Sequence, residues 1–144
     1  MKILINRINK GSVKVKGKVK ASIEKGLAVF IGIESTDTES TLITASKKII
    51  NMRLFENNSG KLSESVKEKG YPILCIPNFT LCALTKKGRR PSFENAMKPD
   101  AAKKMFAKFI VLLQNNISVQ PGVFGADMAI DLELDGPTNI ILKF

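Results

Sequence analysis

Apolar and polar positions along this chain change period several times, and each change marks an element. Residues 2–8 and 12–21 read as strands, the second by its two-residue alternation of apolar or small residues with lysine, and Lys10-Gly11 between them predicts a turn. Residues 27–33 form an unbroken apolar run, which predicts a strand covered on both faces. The period then lengthens to that of a helix. Leu42, Ala45, Ile49 and Met52 share one stripe, and Thr36-Asp37-Thr38-Glu39 reads as the capping box that opens it. After a loop at Asn57-Asn58-Ser59-Gly60, residues 72–76 predict a short buried strand. A second helix begins at Pro99-Asp100, where proline suits the first turn and an acid suits the positive end of the dipole. Its Ala102, Met105, Phe106, Phe109, Ile110 and Leu113 predict packing against a sheet. Beyond Pro121-Gly122 the chain returns to strand, with Met128, Ile130, Leu132 and Leu134 on one face, and residues 140–144 form a last strand. The expected architecture is one α/β domain of six or seven strands and two main helices.

Two islands interrupt these patterns. At Pro77-Asn78-Phe79-Thr80-Leu81 an apolar run ends in a proline and a hydroxyl-bearing corner, where main-chain N–H groups and Thr80 can face a ligand. At Asp135-Gly136-Pro137-Thr138 a Gly-Pro bond sits between strand-like runs, and X-Pro is the bond type that readily adopts cis. Both are backbone devices, and neither supplies a strong base.

Composition narrows the chemistry. The 144 residues include no His and two Cys, so an imidazole base, a His-rich zinc site and a Cys–His dyad are excluded, and neither metal nor cofactor is expected. Cys75 and Cys82 lack CxxC spacing and read as buried free thiols. The N-terminal residues reach Asn6 and Arg7 too soon for a signal peptide, and no apolar run approaches a membrane span; a cytoplasmic protein is the expectation.

The net charge of +10 favours a polyanionic partner such as nucleic acid. It has two concentrations. Lys14, Lys16, Lys18 and Lys20 alternate with apolar or small residues, which predicts a strand with four ammoniums on one solvated face. Lys86, Lys87, Arg89 and Arg90 directly follow the first island and are the better candidates for phosphate contact.

Five segments resemble the D-aminoacyl-tRNA deacylases in order and spacing. They are Asn6-Arg7-Ile8, Pro77-Asn78-Phe79-Thr80-Leu81, the segment from Lys87 to Phe93, the segment from Gly122 to Met128, and Asp135-Gly136-Pro137. The resemblance spans the whole chain. It implies a three-layer α/β/β domain and a homodimer that hydrolyses the ester between an amino acid and the terminal ribose of tRNA. D-amino acids, and in some members glycine, are removed. It implies catalytic roles for Asn78, Phe79 and Thr80, substrate contacts by Arg7, Pro77, Met128, Gly136 and Pro137, and a cis Gly-Pro turn that enters the partner's pocket. Its carbonyls there exclude an L side chain, and Arg7 helps to hold the turn.

Such a mechanism needs no histidine. The ester is already activated, the neighbouring ribose hydroxyl helps to position water, and paired N–H groups at Phe79-Thr80 can stabilise an oxyanion. Thr80 as nucleophile lacks a base, and its hydroxyl has the alternative task of capping the turn. The chain departs from the family pattern at Pro77, where serine is usual, Asn78, where glutamine is usual, Leu134, where asparagine is usual, and Thr138-Asn139, where Val-Thr is common. Two alternatives follow: a deacylase of altered, L-alanyl selectivity, and a noncatalytic tRNA-binding paralogue.

Overall fold

The computed structural model describes residues 1–86 and 88–144. In chain order the elements are β1 (Lys2–Val15), β2 (Lys18–Ile23), β3 (Gly26–Gly32), α1 (Glu39–Asn51), β4 (Arg53–Glu56), β5 (Leu62–Ser65) and α2 (Val66–Lys69). There follow β6 (Ile73–Pro77), a 3-10 turn (Phe79–Cys82), α3 (Pro99–Gln114), β7 (Val119–Pro121) and β8 (Ala129–Lys143). Among the described residues no helix is long and apolar enough to cross a membrane.

One six-stranded sheet organises the molecule. β8 runs antiparallel to β1 from Lys2↔Lys143 to Lys14↔Ala129 and so occupies one edge of it. The other edge takes β3 along the N-terminal half and β2 along the C-terminal half. β6 then joins β3, and β7 joins β6, both in parallel. Alternation sorts the central strands between two cores. Leu27, Val29, Ile31, Ile73 and Cys75 face a core shared with Leu42 and Ile49 of α1 and Phe109 of α3. Ala28, Leu74 and Ile76 face a second core built with Ile8, Val13, Ala21 and Ile23. The far half of β1, β2 and the first half of β8 therefore fold over β3 and β6 as a second β layer, opposite the helices. That is the expected α/β/β arrangement. It explains the unbroken apolar run of β3, since Leu27, Val29 and Ile31 on one face and Ala28 on the other are all buried, the three larger side chains gaining roughly 1.5–3 kcal/mol apiece.

The long β1–β8 ribbon changes cores part-way. Ile3 and Ile5 belong to the helix-side core, Ile8 and Val13 to the other. The switch coincides with two irregularities of the ladder. Asn6 pairs with Asn139 but Ile8 with Leu134, so Asp135 to Thr138 loop out opposite Arg7; then Lys10 pairs with Glu133, so β1 carries a bulge at Asn9. The Gly136-Pro137 bond in the excursion is cis.

Several expectations are corrected. Lys10-Gly11 is no turn but lies within β1, because Leu132 and Ile8 close over Gly11: a Cβ there would be 2.8 Å and 2.9 Å from their methyls. The chain reverses instead at Lys16-Gly17, both in the left-handed region with φ +49° and +75°. The four lysines therefore do not share a strand face. They straddle a hairpin, and an irregularity that sets Lys14 against Val19 and Val13 against Ala21 leaves Lys20 without an opposite residue. The first helix is capped by Thr38 with Thr41 rather than by Thr36 with Glu39, and Met52 lies just beyond its end. The β4–β5 hairpin (Arg53–Glu56, Leu62–Ser65), β7 and the one-turn α2, closed by its own Ser65–Glu68 capping box, had no counterpart in the sequence reading.

Candidate functional site

β6 is parallel to its neighbours and buried on both faces, so its C-terminal end opens where the two layers part. Pro77 ends the strand. The Asn78 N–H donates to the Ile31 carbonyl at 2.7 Å, tying the next residue to β3, and the chain turns into the 3-10 segment. Asn78 caps that segment: its side-chain oxygen accepts from the Thr80 N–H at 3.1 Å and also from the Thr80 hydroxyl. The Thr80 N–H is thus not free, which corrects the expectation of two available donors at the corner. Among the described residues the Phe79 N–H has no hydrogen-bond acceptor, so it is the donor the corner can offer. The short Asn78 amide thus turns back on its own loop.

The corner stands between two clefts. One, of about 450 Å³, lies on the helix side and is walled by Ile31, Phe79, Phe93, Met97, Phe106 and Phe124. The other, of about 320 Å³, lies on the second-layer side and is lined by Ile76, Asn78, Asp127, Met128 and Ile130. Pro77, Asn78, Phe79 and Gly125 border both. Phe79 is 59% exposed and meets Phe93 edge-on at 5.1 Å, a geometry aromatic rings favour. Two glycines make the corner possible. A Cβ on Gly32 would lie 2.9 Å from Leu81 Cβ and 3.1 Å from the Asn78 carbonyl oxygen. One on Gly122 would sit 3.2 Å from Met128 Sδ and 3.3 Å from Pro77 Cδ. The sequence reading missed Gly32, and it assigned Ala102 and Phe106 to core packing alone. Phe106 does both, being buried and also lining the helix-side cleft. Nothing in helical periodicity separates the two tasks.

The structure brings together Pro77, Asn78, Phe79, Thr80 and Met128. It does not bring Gly136 and Pro137 to them. Both are exposed, neither lines either cleft, and at about 3.3 Å per strand residue the intervening stretch of β8 sets the turn on the order of 20 Å from Met128. Arg7 is with the turn. Its guanidinium is buried, donates to the Leu54 carbonyl at 2.9 Å and lies 3.1 Å from Asp135 Oδ2, an ion pair whose Nε–H is not aimed along a hydrogen bond. Glu56 at 3.9 Å, and Lys25 at 3.7 Å from Asp135, complete the cluster at the base of the excursion. Lys86, Arg89 and Arg90 are exposed in a loop pinched at its base by the Leu84–Ser92 pairing, which also delivers Phe93 to the helix-side cleft. Lys87, predicted to join them, lies outside the described residues.

The two thiols are buried and free. Burial pushes the Cys75 thiol well above its ordinary range, and burial followed by Glu34 raises that of Cys82, whose thiol is 3.6 Å from the Ile33 carbonyl. Both are inert at neutral pH.

The chain is similar to known proteins over nearly its whole length. A family model described as D-Tyr-tRNA(Tyr) deacylase matches residues 4–143. The chain is 40% identical over 142 residues to a D-aminoacyl-tRNA deacylase of Kosmotoga olearia, covering 99% of this chain and 96% of that one. It is 42% identical over 144 residues to a D-aminoacyl-tRNA deacylase of Flavobacterium psychrophilum, with the same coverage. Among solved structures it is similar to the c-Myc DNA Unwinding Element Binding Protein, with a TM-score of 0.96 and 36% identity over 100% of this chain and 99% of that one. A probable eukaryotic D-amino acid tRNA deacylase, at TM-score 0.85 and 18% identity over 98% and 97% of the two chains, shares the fold. With a match over nearly its whole length and relatives at these identities, the chain belongs to the D-Tyr-tRNA(Tyr) deacylase family.

Proposed function

We propose that this protein hydrolyses the ester between a D-amino acid and the terminal ribose of tRNA, the activity named for its relatives. The observation that carries the reading is the unpartnered Phe79 N–H at a rigid corner between two clefts. As water adds to the ester carbonyl, negative charge collects on its oxygen, and a fixed N–H aimed there stabilises the transition state more than the ground state. Asn78 holds the corner by accepting both protons of Thr80. Thr80 is then a structural hydroxyl, since its proton is engaged with an amide oxygen and no histidine exists to remove it. The substrate supplies the rest: an activated ester, and a vicinal ribose hydroxyl to orient water.

In this reading the active form is a homodimer. The Gly136-Pro137 excursion is anchored at its base by the Arg7–Asp135 ion pair yet is remote from its own chain's clefts, which fits a part that completes the site of a second copy. Lys86, Arg89 and Arg90, in the loop that carries Phe93 to the helix-side cleft, contact the RNA backbone. The test is deacylation of matched D-, L- and glycyl-tRNA by purified protein in EDTA. Cleavage of the D ester, with or without the glycyl ester, is expected; L cleavage would show a changed filter. No cleavage of any ester by a folded protein that binds tRNA would overturn the proposal.

A further inference from the structure

The lysine-bearing hairpin takes no part in the corner or in the lining of its two clefts. Its position follows from register. Val13 pairs with Ile130 and Lys14 with Ala129, so the hairpin tip projects past the start of β8, beside Asp127 and Met128 of the second-layer cleft. Val13 and Ala21 point into the second core with Ile76 and Met128. By alternation, Val15 and its partner Lys18 continue the same face outward, beyond the start of β8.

The tip is free-standing. A Cβ on Gly17 would meet nothing within 4 Å, and the run from Lys16 to Lys20 is exposed throughout, with Val19 at 57%. Lys14 is paired with Asp131, which is thereby held below the usual carboxylate range. Among the described residues Lys16, Lys18 and Lys20 have no carboxylate within ion-pair distance. Lys16 also sits at φ +49°, where asparagine or glycine is the favoured choice in a two-residue hairpin turn, so charge is kept there against backbone preference.

We propose that the β1–β2 hairpin is a second contact for the RNA backbone of the substrate, Lys16, Lys18 and Lys20 engaging phosphates on the side of the corner opposite Lys86, Arg89 and Arg90. The inference rests on the deacylase reading for its choice of partner. Two basic arms flanking one corner would grip the acceptor end from both sides. The partner is chosen by charge complementarity: three ammoniums with no carboxylate partner among the described residues, on a projecting arm, suit a polyphosphate backbone, and the arm extends from the same layer as the cleft beside the Phe79 corner.

The test uses Lys16→Asn, Lys18→Gln and Lys20→Gln together. Asparagine tolerates the left-handed turn, so the variant keeps the fold, which its melting curve checks. Affinity for uncharged tRNA is measured from 50 to 300 mM KCl, beside a control of equal charge loss, Lys47→Gln, Lys48→Gln and Lys61→Gln. Losing about two phosphate contacts at 0.7–0.9 each lowers the salt slope by about 1.4–1.8, which is roughly a 25- to 60-fold weaker Kd near 0.1 M. Hydrolysis of a D-aminoacyl adenosine, which has no duplex to grip, stays unchanged. An unmoved slope, or an equal fall in the control, overturns the proposal. If no D-aminoacyl ester is cleaved by any version while the hairpin variant still loses slope, the deacylase reading fails and the RNA contact stands.

Discussion

Gly32 touches no substrate in any reading of the site, yet replacing it with alanine is expected to slow the reaction. Its missing side chain is what lets the corner lie against β3. A Cβ there would approach Leu81 Cβ to 2.9 Å, Cys82 Sγ to 3.0 Å and the Asn78 carbonyl oxygen to 3.1 Å. Carbon atoms rest comfortably at about 3.5 Å or more, so the overlap with Leu81 is about 0.6 Å. All three obstacles belong to the corner, and the Asn78 N–H bond to Ile31 is the tether they strain against. Relief moves the Phe79 N–H by about half an ångström. If a misplacement of about 1 Å costs on the order of a hundredfold, this shift costs about tenfold in kcat. Overpacking also lowers stability by about 1–3 kcal/mol, a fall in Tm of roughly 3–10 °C for a chain of this size. Single-turnover deacylation and thermal melting read the two effects. Gly122→Ala is the graded comparison: its contacts are 3.2 Å to the flexible end of Met128 and 3.3 Å to Pro77, so the losses are smaller. A folded Gly32→Ala protein with unchanged kcat would show that the position of the Phe79 N–H does not depend on the missing side chain.

Arg7→Met keeps the apolar stem but strips the partner from the Leu54 carbonyl and leaves Asp135 with Lys25 alone; a loss of about 2–4 kcal/mol in urea unfolding is expected, part of it recovered by adding Asp135→Asn. An unaltered midpoint would show that the cluster is not what fixes the excursion. Thr80→Ala removes one bond to Asn78 but leaves the backbone N–H bond, so kcat falls less than tenfold, whereas a loss of several hundredfold would restore a chemical role to the hydroxyl. Because burial raises the folded-state pKa of Cys75, its contribution to stability is fully present below the ordinary thiol value and is lost as pH rises past it. Denaturation midpoints for wild type should therefore drop above about pH 9, and more steeply than for Cys75→Ala; parallel curves would contradict this.

How far the sequence could be read follows from which signals are local. The buried strands β3 and β6 were legible because each is an unbroken apolar run, and so were α1 and α3, from their stripes. The corner was legible because a proline ending an apolar run leaves few alternatives. The Lys16-Gly17 reversal was hidden because valine and lysine keep alternating on both sides of it, so no break in period marks the turn. Asn9 and the 135–138 excursion each shift the parity of one strand, and only the pairing shows that both strands change cores together. The cleft walls were least legible, since Phe106 and Ala102 look like any other core face until the loop bearing Phe93 closes over them.

The distance between the Gly136-Pro137 excursion and the corner of the same chain has a genetic consequence. In a paired enzyme, a lesion in one and a lesion in the other fall in different sites of a mixed dimer. Chains altered at Asn78–Thr80 and chains altered at the excursion would each be dead alone. Co-expressed, they pair at random, about half the dimers are mixed, and about a quarter of all sites carry both intact parts. Two inactive alleles would then rescue one another, and a single allele bearing both lesions would not be rescued by either.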